Sequence, residues 1–133
     1  MREVKFRAWD KKEKRFWYFD LQKTLERHLY YSGDWDFKIA RGEKTQYIGL
    51  KDKNGEEIYE GDILSIKGYS CTESEFSCCG EVKYINQCYC IDDKFDFGEL
   101  TPIFDIRGSY LTIYEVIGNI YENEDMIENF KNN

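Results

Sequence analysis

Large side chains at every second position, interrupted by glycine-containing bends, narrow the fold of this chain more than any other feature. Val4, Phe6 and Ala8 alternate with Lys5, Arg7 and Trp9. That is the period of a strand with one buried face, because successive strand side chains point to opposite sides. An all-charged break, Asp10-Lys11-Lys12-Glu13-Lys14, precedes the aromatic run Arg15-Phe16-Trp17-Tyr18-Phe19. Together they predict an antiparallel hairpin with a solvated tip.

The same grammar recurs downstream. Trp35, Phe37 and Ile39 alternate, Arg41-Gly42-Glu43 turns the chain, and Gln46-Tyr47-Ile48-Gly49-Leu50 has strand composition. Asp52-Lys53-Asn54-Gly55 is the strongest turn signal, since Asn54 and Gly55 both tolerate positive φ. Glu60-Gly61-Asp62 is a second bend, in which Gly61 permits the turn and Asp62 can accept a hydrogen bond from a nearby amide. Ile63 to Lys67 follows as a strand. Gly68 to Gly80 is rich in Ser, Thr, Cys and Gly and reads as a loop or ragged hairpin before the strand Glu81 to Ile85, with Cys88 to Ile91 pairing back. Asp92 to Arg107, which holds the only proline, Pro102, has no clean period. Tyr110 to Ile117 is a β-rich run halted by Gly118-Asn119.

Two segments change period. Leu21, Leu25 and Leu29 recur every four residues behind a capping Asp20, which predicts a short helix over 21–31. Asn123-Glu124-Asp125 supplies a cap and first-turn acids for a second helix over 124–131, with Met126, Ile127 and Phe130 as its buried side. The expected fold is mainly β: meandering antiparallel sheets forming a small SH3-like or mixed β-barrel, as a single domain over residues 1–133.

Composition bounds the functional classes. Aromatic residues make up 17% of 133 residues, enough apolar surface for one core. No run of about 20 apolar residues occurs and the first residues alternate in charge, so the expectation is a cytoplasmic protein without a membrane partner. Five cysteines, an odd number without an export signal, are expected to be reduced thiols. A net charge of −7 leaves room for nucleic-acid binding only through a local basic patch.

Three blocks carry a resemblance: Met1-Arg2-Glu3-Val4-Lys5-Phe6-Arg7-Ala8-Trp9-Asp10, then Gln46 to Leu64 (QYIGLKDKNGEEIYEGDIL), then Glu115 to Asn123 (EVIGNIYEN). In these the chain resembles the YopX-like family of bacteriophage and prophage proteins. The family often has a proline soon after its final Tyr-Glu-Asn, where this chain has Glu124. The resemblance implies an all-β fold, a phage or prophage setting in the host cell, and no catalytic residues to carry over.

No catalytic, cofactor or metal site is predicted from the residues. The cysteines, spaced Cys71-x6-Cys78-Cys79-x8-Cys88-x-Cys90, lack the paired knuckles of structural zinc sites. Adjacent Cys78 and Cys79 would bond each other only with strain. Glu56, Glu57, Glu60 and Asp62 lack the alternation of a calcium loop, and His28, the one histidine, falls on an apolar helical side. Phosphate-cradling glycine loops and nucleophile elbows are absent from the sequence. Asn54, Gly55, Gly61, Asp62 and Gly118 are therefore taken as structural turn residues.

Charge distribution is more telling. Residues 1–15 hold seven Lys or Arg against three acids, while residues 115–133 hold one Lys against five acids. Basic and aromatic residues interleave on the N-terminal hairpin, which makes Lys5, Arg7, Trp9, Arg15 and Trp17 the candidate interaction surface. The favoured expectation is a non-enzymatic module that self-associates as a homo-oligomer or binds a host or phage protein. A nucleic-acid-binding hairpin is the alternative, and a metal- or thiol-dependent activity of the cysteine-rich segment is the second alternative.

Overall fold

The structure is a computed structural model and describes residues 3–20, 42–69, 75–85, 87–93, 99–102 and 111–125. These hold nine strands: β1 Lys5–Asp10, β2 Arg15–Asp20, β3 Glu43–Lys51, β4 Glu57–Tyr59, β5 Asp62–Tyr69, β6 Glu75–Ile85, β7 Cys88–Asp93, β8 Glu99–Pro102 and β9 Leu111–Asn119. They form two open sheets, ordered β2-β1-β3-β4 and β8-β7-β6-β5-β9. The neighbours of β1, β5, β6 and β7 all pair antiparallel, so the mainly-β antiparallel class expected from the alternating pattern is what the chain adopts. Among the described residues only Glu124 and Asp125 are α-helical. The predicted helix over 21–31 and the strand at Trp35 to Ile39 lie outside the described residues, as does the rest of the helix over 124–131.

The chain divides into two compact units, 1–49 and 50–133. In the first, β1 is central, with Ala8 opposite Trp17 on β2 and Lys44 on β3. Ala8 is fully buried.

In the second unit, β5 is buried along most of its length: Ile63, Leu64 and Ile66 are essentially solvent-free, and Val82 on β6 and Ile91 on β7 join them. Consecutive buried residues, rather than strict alternation, mean that side chains on both faces of this part of β5 are covered. β9 pairs along β5 with a register shift between Ile63 and Leu64, where Ile63 faces Gly118 and Leu64 faces Val116. Ile117 is the extra residue of this bulge, which increases local twist.

Gly68 to Gly80, expected as a loop or ragged hairpin, carries more ladder than that reading gave it on either side of residues 70–74, which lie outside the described ones: Lys67 stands opposite Ser77, Gly68 opposite Phe76 and Tyr69 opposite Glu75. Ser, Cys and Gly give no period-two hydrophobic signal, yet a buried Cys behaves as a small apolar residue, as Cys78 does here. Gly80 is required by close approach instead of by a turn. A Cβ there would lie 2.4 Å from Ile91 Cγ2 and 2.9 Å from the Asp92 carbonyl oxygen. Gly80→Ala is therefore expected to lower stability by about 1–3 kcal/mol, through overpacking against backbone that cannot give. Urea unfolding checks this, with Ser77→Ala on the exposed part of the same strand shifting it by less than about 0.5 kcal/mol.

Candidate functional site

The N-terminal hairpin begins from a tip organised by one carboxylate. Asp10 Oδ1 accepts the amides of Lys12 and Glu13, each at 3.0 Å, while its Oδ2 accepts Trp17 Nε1 at 3.2 Å. The Lys14 amide donates to the Asp10 carbonyl at 2.8 Å, and Lys14 takes the left-handed conformation that closes the loop. Lys11, Lys12, Lys14 and Arg15 are consequently exposed on a backbone whose shape is set locally.

The five candidate residues do not form one surface. Residues opposite each other in an antiparallel ladder share a face, so Lys5, Arg7 and Trp9 lie with Phe16, Tyr18 and Thr45. Arg15 and Trp17 lie on the other face, with Asp10 and Ala8. Arg7 is 4% exposed: its guanidinium carbon sits 4.1 Å from the Phe16 ring centroid and its Nε donates to Thr45 Oγ1 at 3.1 Å. Trp9 is 7% exposed and packs on Phe16 with centroids 4.8 Å apart. Lys5 is half-buried, paired with Glu3 at 3.2 Å and 5.7 Å from the Tyr47 ring. Arg7 and Trp9 are thus packing residues, and Arg15, stacked 4.1 Å over half-buried Trp17, is the candidate most open to solvent.

The turn residues form a second, distinct system. Asp52, 7% exposed, accepts the amides of Asn54 and Glu56 on Oδ1, both at 2.9 Å, and the amide of Val116 on Oδ2 at 3.0 Å. The Lys53 amide donates to the Tyr114 carbonyl at 2.9 Å, so this turn docks on the free edge of β9. Burial pushes the Asp52 pKa up, but the three amides and the Lys53 charge outweigh it and hold the carboxyl below its ordinary value. In this turn Gly55, not Asn54, has positive φ.

Gly61, also at positive φ, joins three segments: its amide donates to the Val82 carbonyl and its carbonyl accepts the Ile120 amide, both at 2.9 Å. Asp62, 2% exposed, accepts the Tyr59 amide at 2.8 Å. Gly118 lies within β9, where a Cβ would meet Asn123 Oδ1 at 2.7 Å. That Asn123 oxygen accepts the Asn119 amide, and Asn119 Oδ1 accepts the amides of Tyr121 and Glu122. Asp52 and Asn119 were expected only as members of turn signals and Asn123 as a helix cap, and the backbone-holding roles of their side chains and of Asp10 were not foreseen. An Asp or Asn two or three residues before a turn amide is the signal that would have found Asp10, Asp52 and Asn119, whereas Asn123 accepts an amide four residues before it.

Cys78 and Cys90 are buried and Cys79 and Cys88 half-buried, and none of the four is in a disulfide. Burial and the neighbouring Cys88 push the Cys90 thiol up, against thiolate chemistry. Among the described residues no group of three or more His, Cys, Asp or Glu stands close enough to hold a metal ion. No helix among them is long and apolar enough to cross a membrane. Cys71 and His28 lie outside the described residues.

A family model described as YopX protein matches residues 5–128. Among solved structures, the chain is similar to protein EF1440 from Enterococcus faecalis, at 25% identity over 96% of this chain and 99% of that one, with a TM-score of 0.51. No curated protein matches the chain.

The lowered pKa gives Asp52 a pH signature. A carboxyl whose folded value lies below its unfolded one contributes stability above the ordinary value of 3.8 and loses it as pH falls through the folded value. Asp52→Ala is expected to cost about 1–3 kcal/mol at pH 7, by leaving three part-buried amides without their acceptor. The difference between wild type and variant should shrink as pH falls below about 4. Chemical denaturation at a series of pH values checks both statements.

Proposed function

We propose that this chain, which belongs to the YopX family, is a non-enzymatic interaction module whose N-terminal hairpin contacts a protein partner, in a phage or prophage setting within the host cytoplasm. One observation carries the reading: Lys11, Lys12, Lys14 and Arg15 are all exposed on a tip pre-shaped by Asp10, so binding there costs little backbone ordering.

The carboxylates that would tempt a catalytic assignment, Asp52 and Asp62, are engaged by backbone amides of turns and strands. A nucleic-acid platform fits less well. Base stacking needs aromatic faces in solvent, and on this hairpin Trp9 and Phe16 are buried while exposed Tyr18 and half-buried Trp17 point to opposite faces. A basic tip without an aligned aromatic row suits acidic protein surface better than single-stranded nucleic acid.

Affinity capture from lysogenic cells, comparing wild type with Lys11→Glu/Lys12→Glu/Lys14→Glu, tests the reading. A protein partner retained by wild type and lost by the variant is the expected result. Nucleic acid retained in its place favours the alternative, and an identical yield from both baits removes the hairpin from the interaction.

A further inference from the structure

Two short runs of opposite charge stand out once the paired charges are set aside. Lys53 is bridged to Glu115 at 2.9 Å and Lys83 to Asp92 at 2.7 Å. By contrast, the ammonium groups of Lys11, Lys12 and Lys14 have no ion-pair partner among the described residues, and all three are exposed. After β9, Glu122, Glu124 and Asp125 are likewise exposed, and their carboxylates have no ion-pair partner among the described residues. Each run puts three like charges within four residues.

Both runs sit on pre-shaped backbone. The tip of the hairpin is held by Asp10, and the turn at 119–123 is held by the reciprocal Asn119 and Asn123 side-chain bonds, with the Asn123 amide donating to the Asn119 carbonyl at 3.0 Å. The runs are opposite in sign, net +2 over Lys11-Lys12-Glu13-Lys14 and −3 over Glu122-Asn123-Glu124-Asp125, and charges carried on locally braced turns meet little ordering cost when they face each other.

We infer that the hairpin's partner is a second copy of this chain, with Lys11, Lys12 and Lys14 of one molecule docking on Glu122, Glu124 and Asp125 of another. This rests on the interaction-module reading and names its occupant from charge complementarity. The net charge of −7 makes the inference stringent, because two such molecules repel at long range. Attraction that strengthens as salt is removed can then come only from local complementarity. Exposed ion pairs are individually weak, so the association is reversible and concentration-dependent.

Sedimentation velocity on the full chain decides it. The weight-average mass should rise with concentration at about 20 mM salt and return to the monomer value at about 500 mM, where screening reaches within a few ångströms. Lys11→Glu/Lys12→Glu/Lys14→Glu and Glu122→Lys/Glu124→Lys/Asp125→Lys should each be monomeric alone. Mixed in equal amounts they should associate again, since each supplies the charge the other has inverted. Circular dichroism confirms that both variants are folded. A wild type that stays monomeric at low salt, or folded variants that fail to associate when mixed, overturns the second-copy inference. Neither outcome removes a heterologous protein partner, which the capture experiment reads separately.

Discussion

The Asp52 carboxylate makes the contact on which the second unit's organisation depends, because it reaches the Val116 amide across 64 positions of sequence while satisfying its own turn. β9 is the outer strand of a five-stranded sheet, and an outer strand offers backbone groups to whatever can pair with them. The Asp52 turn takes one amide and one carbonyl of that strand, at Val116 and Tyr114, from within the same molecule. A carboxylate is suited to this because it accepts several amides at once and is paid for its burial by charge-assisted bonds. A hydrocarbon at position 52 would leave the same part-buried amides without that acceptor.

The three sequence blocks that resemble the family contain the residues that do this work. Asp52 and Gly55 build one turn, Gly61 and Asp62 the next, and Gly118, Asn119 and Asn123 the last. Gly61 ties them together by donating to β6 and accepting from the turn after β9. Their polarity is consumed in holding backbone. A motif of this kind records how a chain folds, and chemistry on a substrate needs polar groups aimed at a vacancy instead.

How much of this was legible depends on where each signal lives. The N-terminal hairpin, the strand of Gln46 to Leu50 and the pairing of Cys88 to Ile91 announced themselves through alternation and turn residues, which are local properties. The pairing of 64–69 with 75–80 was legible only as a possible ragged hairpin, because its strand character comes from neighbouring backbone, and its Ser, Cys and Gly side chains carry no period. The burial of Arg7 and Trp9 was equally invisible: a basic residue next to a ring looks like a binding surface until register shows the guanidinium lying on Phe16 inside the fold. Asp52 was hidden behind Asn54-Gly55, the louder turn signal, since its longest-range bond is to a residue 64 positions away.

Burial of Arg7 also bears on where binding can occur. Once the cation at the centre of the hairpin is committed to Phe16 and Thr45, the basic character left for a partner moves to the tip and to Arg15 over Trp17. A flat strand face with rings in solvent would select for stacking ligands, whereas a protruding tip of point charges selects for spacing of opposite charge. Lysine, strongly hydrated and flexible, favours contacts that form quickly and release readily. On the proposed reading the hairpin serves reversible, electrostatically steered encounter, with the shape Asp10 imposes on the backbone beneath the charges setting its specificity.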